Sequence, residues 1–379
     1  MSPNTKIAAK GVLFSINPQS KIKNPQFPFV LASVQQNTTA RRLAAEHGFA
    51  ISGIALIPAD GWTPRAASLA KWLDKGLYGP LDYMRKTQAA RTQIRVRFPW
   101  ANSILALGAF YAPTVAPCEN MSDLRMRVAR YARGRDYHRI FERRLKKLAR
   151  ALQVAGVCAR ARWIVDTGPV LERAWAEAAG LGWRGKNTCL IHPRGGSFLL
   201  LAEIIMDSTP EPNSPEPNHC GNCRRCLDAC PTRALIEPGV LDARRCLATW
   251  NIECGGRTPE ELWAAQGSSV FGCDICQEVC PYNAPRKLAT PDEELLAPRS
   301  WWNLSLTECI AMTTAQFNHA FTASPLRRSG LKGLRLSAIT AAGNSKTISY
   351  KIALQACLTD PDADIRARAV WAITKLPDK

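Results

Sequence analysis

The sequence predicts an α/β domain, followed by a two-cluster iron–sulfur module, followed by a helical C-terminal region. Three observations carry this reading. From Thr38 onward, short helices alternate with apolar strands. Cys220 to Pro231 spells C-x2-C-x2-C-x3-C-P, and Cys273 to Pro281 repeats part of it as C-x2-C-x3-C-P. The chain ends in a helix, a tight Asp360-Pro361-Asp362 turn and a second helix.

The chain has 379 residues, room for two or three domains. With 46% hydrophobic residues a core is ample, yet no stretch has the roughly 18–20 apolar residues of a membrane span. The charge is +19, from 50 basic against 31 acidic residues, which favours polyanionic partners, nucleic acid first. No acidic residue precedes Glu46. Residues 1–37 therefore read as a basic disordered extension or a transit-type segment outside the fold.

The α/β domain is expected over 38–207. Thr39 to Gly48 is a short helix closed by glycine, Phe49 to Ile57 a strand, Ala66 to Asp74 a helix and Ile104 to Phe110 a buried strand. Asp136 to Ala155 is a long helix ended by Gly156. Ile140, Phe141, Leu145, Leu148 and Leu152 share its apolar face. Its other face carries Arg139, Arg143, Arg144, Lys146, Lys147 and Arg150, opposed only by Glu142. Trp163 to Val165 is a strand running into Asp166-Thr167-Gly168, and Glu172 to Ala179 is a helix. Gly180 to Gly185 spells G-x-G-x-x-G, but a dinucleotide site needs that run after a strand and opening a helix. Here it follows a helix and precedes strand-like Thr188 to Ile191. Four prolines between Asp207 and His219 mark a linker over 208–219.

The module spans 220–290. Eight of the fourteen cysteines sit here in close steps: 220, 223, 226, 230, 246, 273, 276 and 280, with Cys254 outside the spacing. Neighbours this close make strained disulfides, so metal ligation in a reducing compartment is the better account. The first run has the spacing of bacterial ferredoxins, whose fourth cysteine serves the other cluster. Two [4Fe–4S] clusters then divide as Cys220, Cys223, Cys226 and Cys280 against Cys230, Cys246, Cys273 and Cys276. Zinc is the alternative, though its sites rarely use this spacing. The region 291–379 is read as helical.

Beyond these patterns the chain resembles the epoxyqueuosine reductase family. The resemblance rests on Gly134-Arg135-Asp136-Tyr137-His138, Val165-Asp166-Thr167-Gly168, Gly180 to Asn187, Asp242 to Cys246, Thr258 to Leu262 and Phe271 to Pro281. It covers about residues 38–379. It implies an α/β (α+β) cobalamin-binding domain, an adjacent ferredoxin-like domain with two [4Fe–4S] clusters, and HEAT-like C-terminal helices. The implied activity is reduction of epoxyqueuosine to queuosine at the wobble position of tRNA anticodons, with electrons passing through the clusters to base-off cobalamin. It also implies Asp166 as proton donor, and cobalamin contacts at Arg91, Asp166, Lys186, Asn187, Leu247 and Asp274.

Two further expectations concern the site. A carboxyl at a strand end beside an apolar cofactor has a raised pKa, whereas the plain reading of Asp-Thr-Gly is a capped turn. His138 echoes a cobalt-ligand motif D-x-H-x-x-G, but Phe141 replaces the glycine, so a helix-start role fits better. Ala248-Thr249-Trp250 stands where the family has a serine after the Cys-Ile pair. The implied partners are tRNA and an external low-potential electron donor, for a cytoplasmic monomer without a membrane. The helix from Asp136, the segment Arg327 to Arg335, and Arg366 and Arg368 are candidate tRNA contacts. A reductive dehalogenase, or a non-catalytic two-cluster electron carrier, is the competing class. A twin-arginine signal would mark the first, and lack of bound corrinoid the second.

Overall fold

The computed structural model describes residues 27–111, 127–284, 289–295 and 304–377. Helix α1 (Phe27–Glu46) begins eleven residues before the expected start of the fold. Residues 27–37 carry no charge, and grouping them with the basic stretch before them hides a docked helix. Backbone Ser33 accepts a hydrogen bond from Glu211 (3.1 Å), and Asn37 bonds Glu211 and Asn213, so the contacts that order it come from distant sequence. The rest of the expected extension, residues 1–26, lies outside the described residues.

Strand β1 (Ile51–Leu56) and helix α2 (Ala66–Asp74) follow, the latter burying Ala66, Leu69 and Leu73. Two single-turn helices, α3 (Asp82–Lys86) and α4 (Gln88–Thr92), lead to β2 (Ser103–Phe110), buried along its whole length. After the two-residue β3 (Arg127–Val128) comes α5 (Tyr137–Val154), which Asp136 caps by accepting the His138 backbone N–H. Its buried residues include the five predicted from periodicity. Fully burying each such Leu, Ile or Phe is worth about 1.5–3 kcal/mol. Strand β4 (Ala161–Ile164), helix α6 (Glu172–Ala178), the hairpin β5 (Trp183–Arg184) and β6 (Leu190–Ile191), and β7 (Leu199–Met206) complete the domain.

The main sheet has the order β1-β2-β7-β4, and every pairing is antiparallel. Alternating helices and strands had pointed to α/β. The sheet places the domain on the α+β side, because apolar runs report that both faces are covered, not which way strands run. One face packs on α1 and α5 through Phe49, Leu105, Phe141 and Ile204, the other on α6 through Ala106, Trp175 and Ile205. The glycines of 180–185 serve packing. Gly180 has φ +74°, and a Cβ there would lie 2.4 Å from the Ser214 carbonyl oxygen.

Residues 208–219 have no helix or strand but are not a free linker. Ser103 bonds the Ser208 carbonyl (2.8 Å), Asn213 N–H bonds Ile54 (2.9 Å), and Asn218 reaches Arg184 (3.4 Å). The module then contains α7 (Arg225–Asp228), the hairpin β8 (Leu235–Glu237) and β9 (Val240–Leu241), β10 (Ser269–Phe271) and α8 (Ile275–Glu278). Strand β10 pairs with β3 and ties the module to the first domain. A third core gathers α9 (Leu306–Ala311), α10 (Thr314–Ala320), α11 (Gly330–Ser345), α12 (Lys351–Ala356) and α13 (Ala363–Ile373). Capping boxes at Ser305 and Thr313 start α9 and α10. Among the described residues no helix is long and apolar enough to cross a membrane.

Candidate active site

A cavity of about 740 Å³ opens where the three cores meet. Tyr111, Tyr131, Tyr137, Leu199, Leu200 and Ile252 give it aromatic and apolar walls. Asp166, His138, Glu253, Arg327 and Arg328 supply its charge. Asp166 stands just past the end of β4 with φ +51°, an uncommon conformation for a residue with a side chain.

His138 lies between two carboxylates. Its Nδ1 is 2.7 Å from Asp136 and its Nε2 3.2 Å from Asp166. Burial opposes a charge on this ring, but the two carboxylates prevail and hold its pKa up at about 9. The ring is thus an imidazolium donating on both sides. The Arg328 guanidinium is 3.7 Å from Asp166 and 2.7 Å from Glu253. Burial would raise the Asp166 pKa, but His138 and Arg328 outweigh it and hold the carboxyl below the usual range. The expectation of a raised pKa is therefore corrected: the partners are cations rather than an apolar wall. Asp166 is also more than a turn cap, since its side chain faces the cavity while its backbone N–H donates to Glu172 (2.6 Å).

The cysteines fall into two sets. Cys220, Cys223, Cys226 and Cys280 line a second cavity of about 140 Å³, beside His219 and Tyr282. Trp183 donates its indole N–H to Cys220 Sγ (3.4 Å). Burial, reinforced by Cys220 and Cys280, pushes the Cys226 thiol up to about 11. In the other set, Cys230 acts on Cys246, and Cys246 on both Cys273 and Cys276. The Cys230 sulfur also accepts the Ala234 N–H (3.2 Å). Among the described residues no three His, Cys, Asp or Glu close tightly enough around one point to hold a single ion. A cubane spreads its four sulfurs more widely than one tetrahedral ion, and the 140 Å³ void between four thiols fits that larger group. Sequence spacing did not single out Cys189, whose thiol is hydrogen-bonded to Cys276.

The residues expected around cobalamin are not brought together. Only Asp166 lines the large cavity. Arg91 is buried behind it, bonded to Thr87 (2.8 Å) and the Val170 carbonyl (3.0 Å). Lys186 holds the Gly221 and Cys223 carbonyls (2.6 and 2.9 Å) beside the first thiol set. Asn187 bonds the Cys276 carbonyl (3.2 Å). Asp274 accepts the Arg130 N–H (2.6 Å), and Leu247 is buried in the module. Lys186, Asn187, Leu247 and Asp274 brace the module, and Arg91 braces the first domain; local spacing does not show which way they face. The cavity still suits a large flat cofactor with no protein ligand to its metal, because both His138 nitrogens are engaged by carboxylates.

Several basic residues expected on tRNA are engaged elsewhere. Arg368 is 3% exposed, bonds Thr340 (2.7 Å) and Thr258 (3.1 Å), and stacks over Trp263. Arg366 bonds the Asp360 and Pro361 carbonyls, Arg335 and Lys332 pair with acids of the 360–364 turn, and Arg143 and Arg144 pair with Asp292 and Glu294. Arg327, Arg328 and Arg139 point into the cavity region instead.

Comparison with known proteins follows the same division. Residues 219–283 match the model of a 4Fe-4S double cluster binding domain, and residues 91–167 match that of "Epoxyqueuosine reductase QueG, DUF1730". The chain is 41% identical over 304 residues to an epoxyqueuosine reductase of Gloeobacter violaceus, covering 79% of this chain and 93% of that one. To one from Xanthomonas campestris it is 38% identical over 344 residues, covering 88% and 94%. Among solved structures, an epoxyqueuosine reductase with a tRNA-Tyr epoxyqueuosine-modified stem loop superposes with TM-score 0.78 at 29% identity, over 90% of each chain. One from Streptococcus thermophilus gives 0.76 at 27%, again over 90% of each.

Proposed function

The chain belongs to the epoxyqueuosine reductase family, an oxidoreductase family, and from that premise we propose that it reduces epoxyqueuosine at the tRNA wobble position using two [4Fe–4S] clusters and cobalamin. The observation that carries this is a cavity facing both the module and Asp166, with that acid already clamped between an imidazolium and a guanidinium.

Cys220, Cys223, Cys226 and Cys280 hold one cluster, and Cys230, Cys246, Cys273 and Cys276 the other. The second set lies nearer the cavity, since the segment after Cys246 runs on to Ile252 and Glu253 in its wall. Cobalamin, base-off as the family resemblance implies, would be held by the wall of Tyr111, Tyr131 and Tyr137 and would supply a strong two-electron reductant. Asp166 is the proton donor to the departing epoxide oxygen. At rest it is ionised, so His138 is the adjacent cation that charges it, while Asp136 fixes the ring and Arg328 holds the Asp166 carboxylate toward the cavity. Arg91, Lys186, Asn187, Leu247 and Asp274 act as braces rather than direct contacts in this reading. The C-terminal helices form a HEAT-like cap, tRNA and an external low-potential donor are the partners, and the protein works as a monomer in the cytoplasm.

Anaerobic reconstitution tests the reading. It calls for about eight irons and one corrinoid per chain, then conversion of epoxyqueuosine in tRNA. A protein that binds no corrinoid and leaves the tRNA unchanged refutes it.

A further inference from the structure

Trp183 has no part in the scheme above. It belongs to the first domain, where it opens β5 opposite Ile191 of β6, and it is 0% exposed. A Cβ at Gly182 would lie 2.2 Å from the Ile191 carbonyl oxygen, so glycine lets the hairpin close tightly beside the indole. The indole is wedged edge-on between His219 and Tyr282, with ring centres 4.9 and 4.8 Å away. His219 adjoins Cys220, and Tyr282 follows Cys280 across Pro281. Held in this way, the indole donates its N–H to Cys220 Sγ (3.4 Å).

The same hairpin grips the loop around that sulfur. Asn218 donates to the Arg184 carbonyl (3.4 Å) and accepts the Cys220 backbone N–H (2.8 Å). Lys186 holds the Gly221 and Cys223 carbonyls, which brings its ammonium to the void between the four thiols. Lys186, His219 and Arg225 line that void, and among the described residues no carboxylate does.

A thiol sulfur is a weak hydrogen-bond acceptor, whereas a metal-bound thiolate is a charged one, so the Trp183 bond strengthens when a cluster forms. Reduction takes one electron from the external donor, breaks no bond and leaves the indole proton on its nitrogen. It spreads one more negative charge over the core and its sulfurs. A donor or cation at those sulfurs therefore stabilises the reduced state more than the oxidised one and raises the reduction potential. We propose that Trp183, assisted by Lys186, sets the potential of the cluster held by Cys220, Cys223, Cys226 and Cys280, raising it so that a low-potential donor can fill it. Trp183 is thus a positioning residue for electron entry, and the glycine run 180–185 shapes a cluster site in place of a nucleotide cradle. This rests on the two-cluster reading and not on the identity of the substrate.

Redox titration of the iron-loaded full chain, followed by electron paramagnetic resonance without tRNA, tests the proposal. Trp183→Phe removes the N–H and keeps an aromatic wedge. Iron should stay at about eight per chain. One of the two midpoints should fall so that the reduced-to-oxidised ratio at fixed poise drops about fivefold, roughly 40 mV for a one-electron couple, while the other stays. Lys186→Met should lower the same midpoint. Two unchanged midpoints in an iron-replete Trp183→Phe protein overturn the proposal. If that variant loses iron, the wild type labelled with a heavy isotope at the tryptophan indole nitrogen decides: pulsed resonance should show the nitrogen coupled to a reduced cluster, and no coupling overturns the proposal. A wild type that takes up no iron refutes the two-cluster reading instead.

Discussion

The cysteine module and the Asp166 cavity hold ionisable groups in opposite ways. In the module burial dominates. Cys226 and Cys273 are both pushed up to about 11, and each thiol raises its neighbours further. Such a site is unsatisfied until a metal core takes the thiolates. In the cavity pairing dominates: His138 is held up at about 9 and Asp166 held down, each by the other. That site is balanced before anything binds. The module should therefore depend on its metal for stability, whereas the cavity should tolerate emptiness but not the loss of one charged partner.

Cys276→Ser gives the sharpest break. It should remove one cluster, lower iron from about eight to about four per chain and abolish turnover. Full iron content by colorimetric assay would erase the distinction drawn for the module. Asp166→Asn comes next. It should cost roughly 100-fold or more in turnover while iron and corrinoid content stay at wild-type levels, separating cavity chemistry from module assembly. Unchanged turnover would remove Asp166 from the reaction.

His138→Gln probes the balance itself. Because the folded pKa of His138 lies above its unfolded value near 6.5, its ion pairs stabilise fully below about pH 6.5 and fade as pH rises through about 9. The wild-type advantage in Tm should be largest at pH 6 and close by pH 9–10. A gap that is flat with pH would show that the ring is uncharged. The smallest effect is expected on the outer surface. Arg150→Ala should reduce the salt slope of tRNA affinity by about one unit, whereas buried Arg368→Ala should lower stability by about 2 kcal/mol without altering that slope.

The same contrast explains what the sequence made legible. The eight cysteines occupy 61 consecutive positions, Cys220 to Cys280, and short helices fix their offsets. Spacing alone therefore proposes how the thiols would be shared between two clusters. The cavity is assembled from 111, 131–139, 166, 199–200, 252–253 and 322–328, so no local pattern announces it. Asp166 was found through the family resemblance. His138 is legible as a helix-start residue and Arg328 as one of a basic run, but a charge in sequence does not reveal its partner. Helix α5 was legible from its period of apolar residues. The antiparallel direction of the sheet, the docking of α1 and the bond from Trp183 to Cys220 depend on contacts from distant sequence.

The proline-rich strap has a consequence for electron flow. Hydrogen bonds at Ser208, Glu211, Asn213 and Asn218 pin it to the sheet, to α1 and to the β5 strand. A segment that looks like a hinge is thus a splint. On the proposed electron path, the gap between the module and the cavity is held by this strap, so the rate of each hop should be governed by driving force and not by a swinging domain.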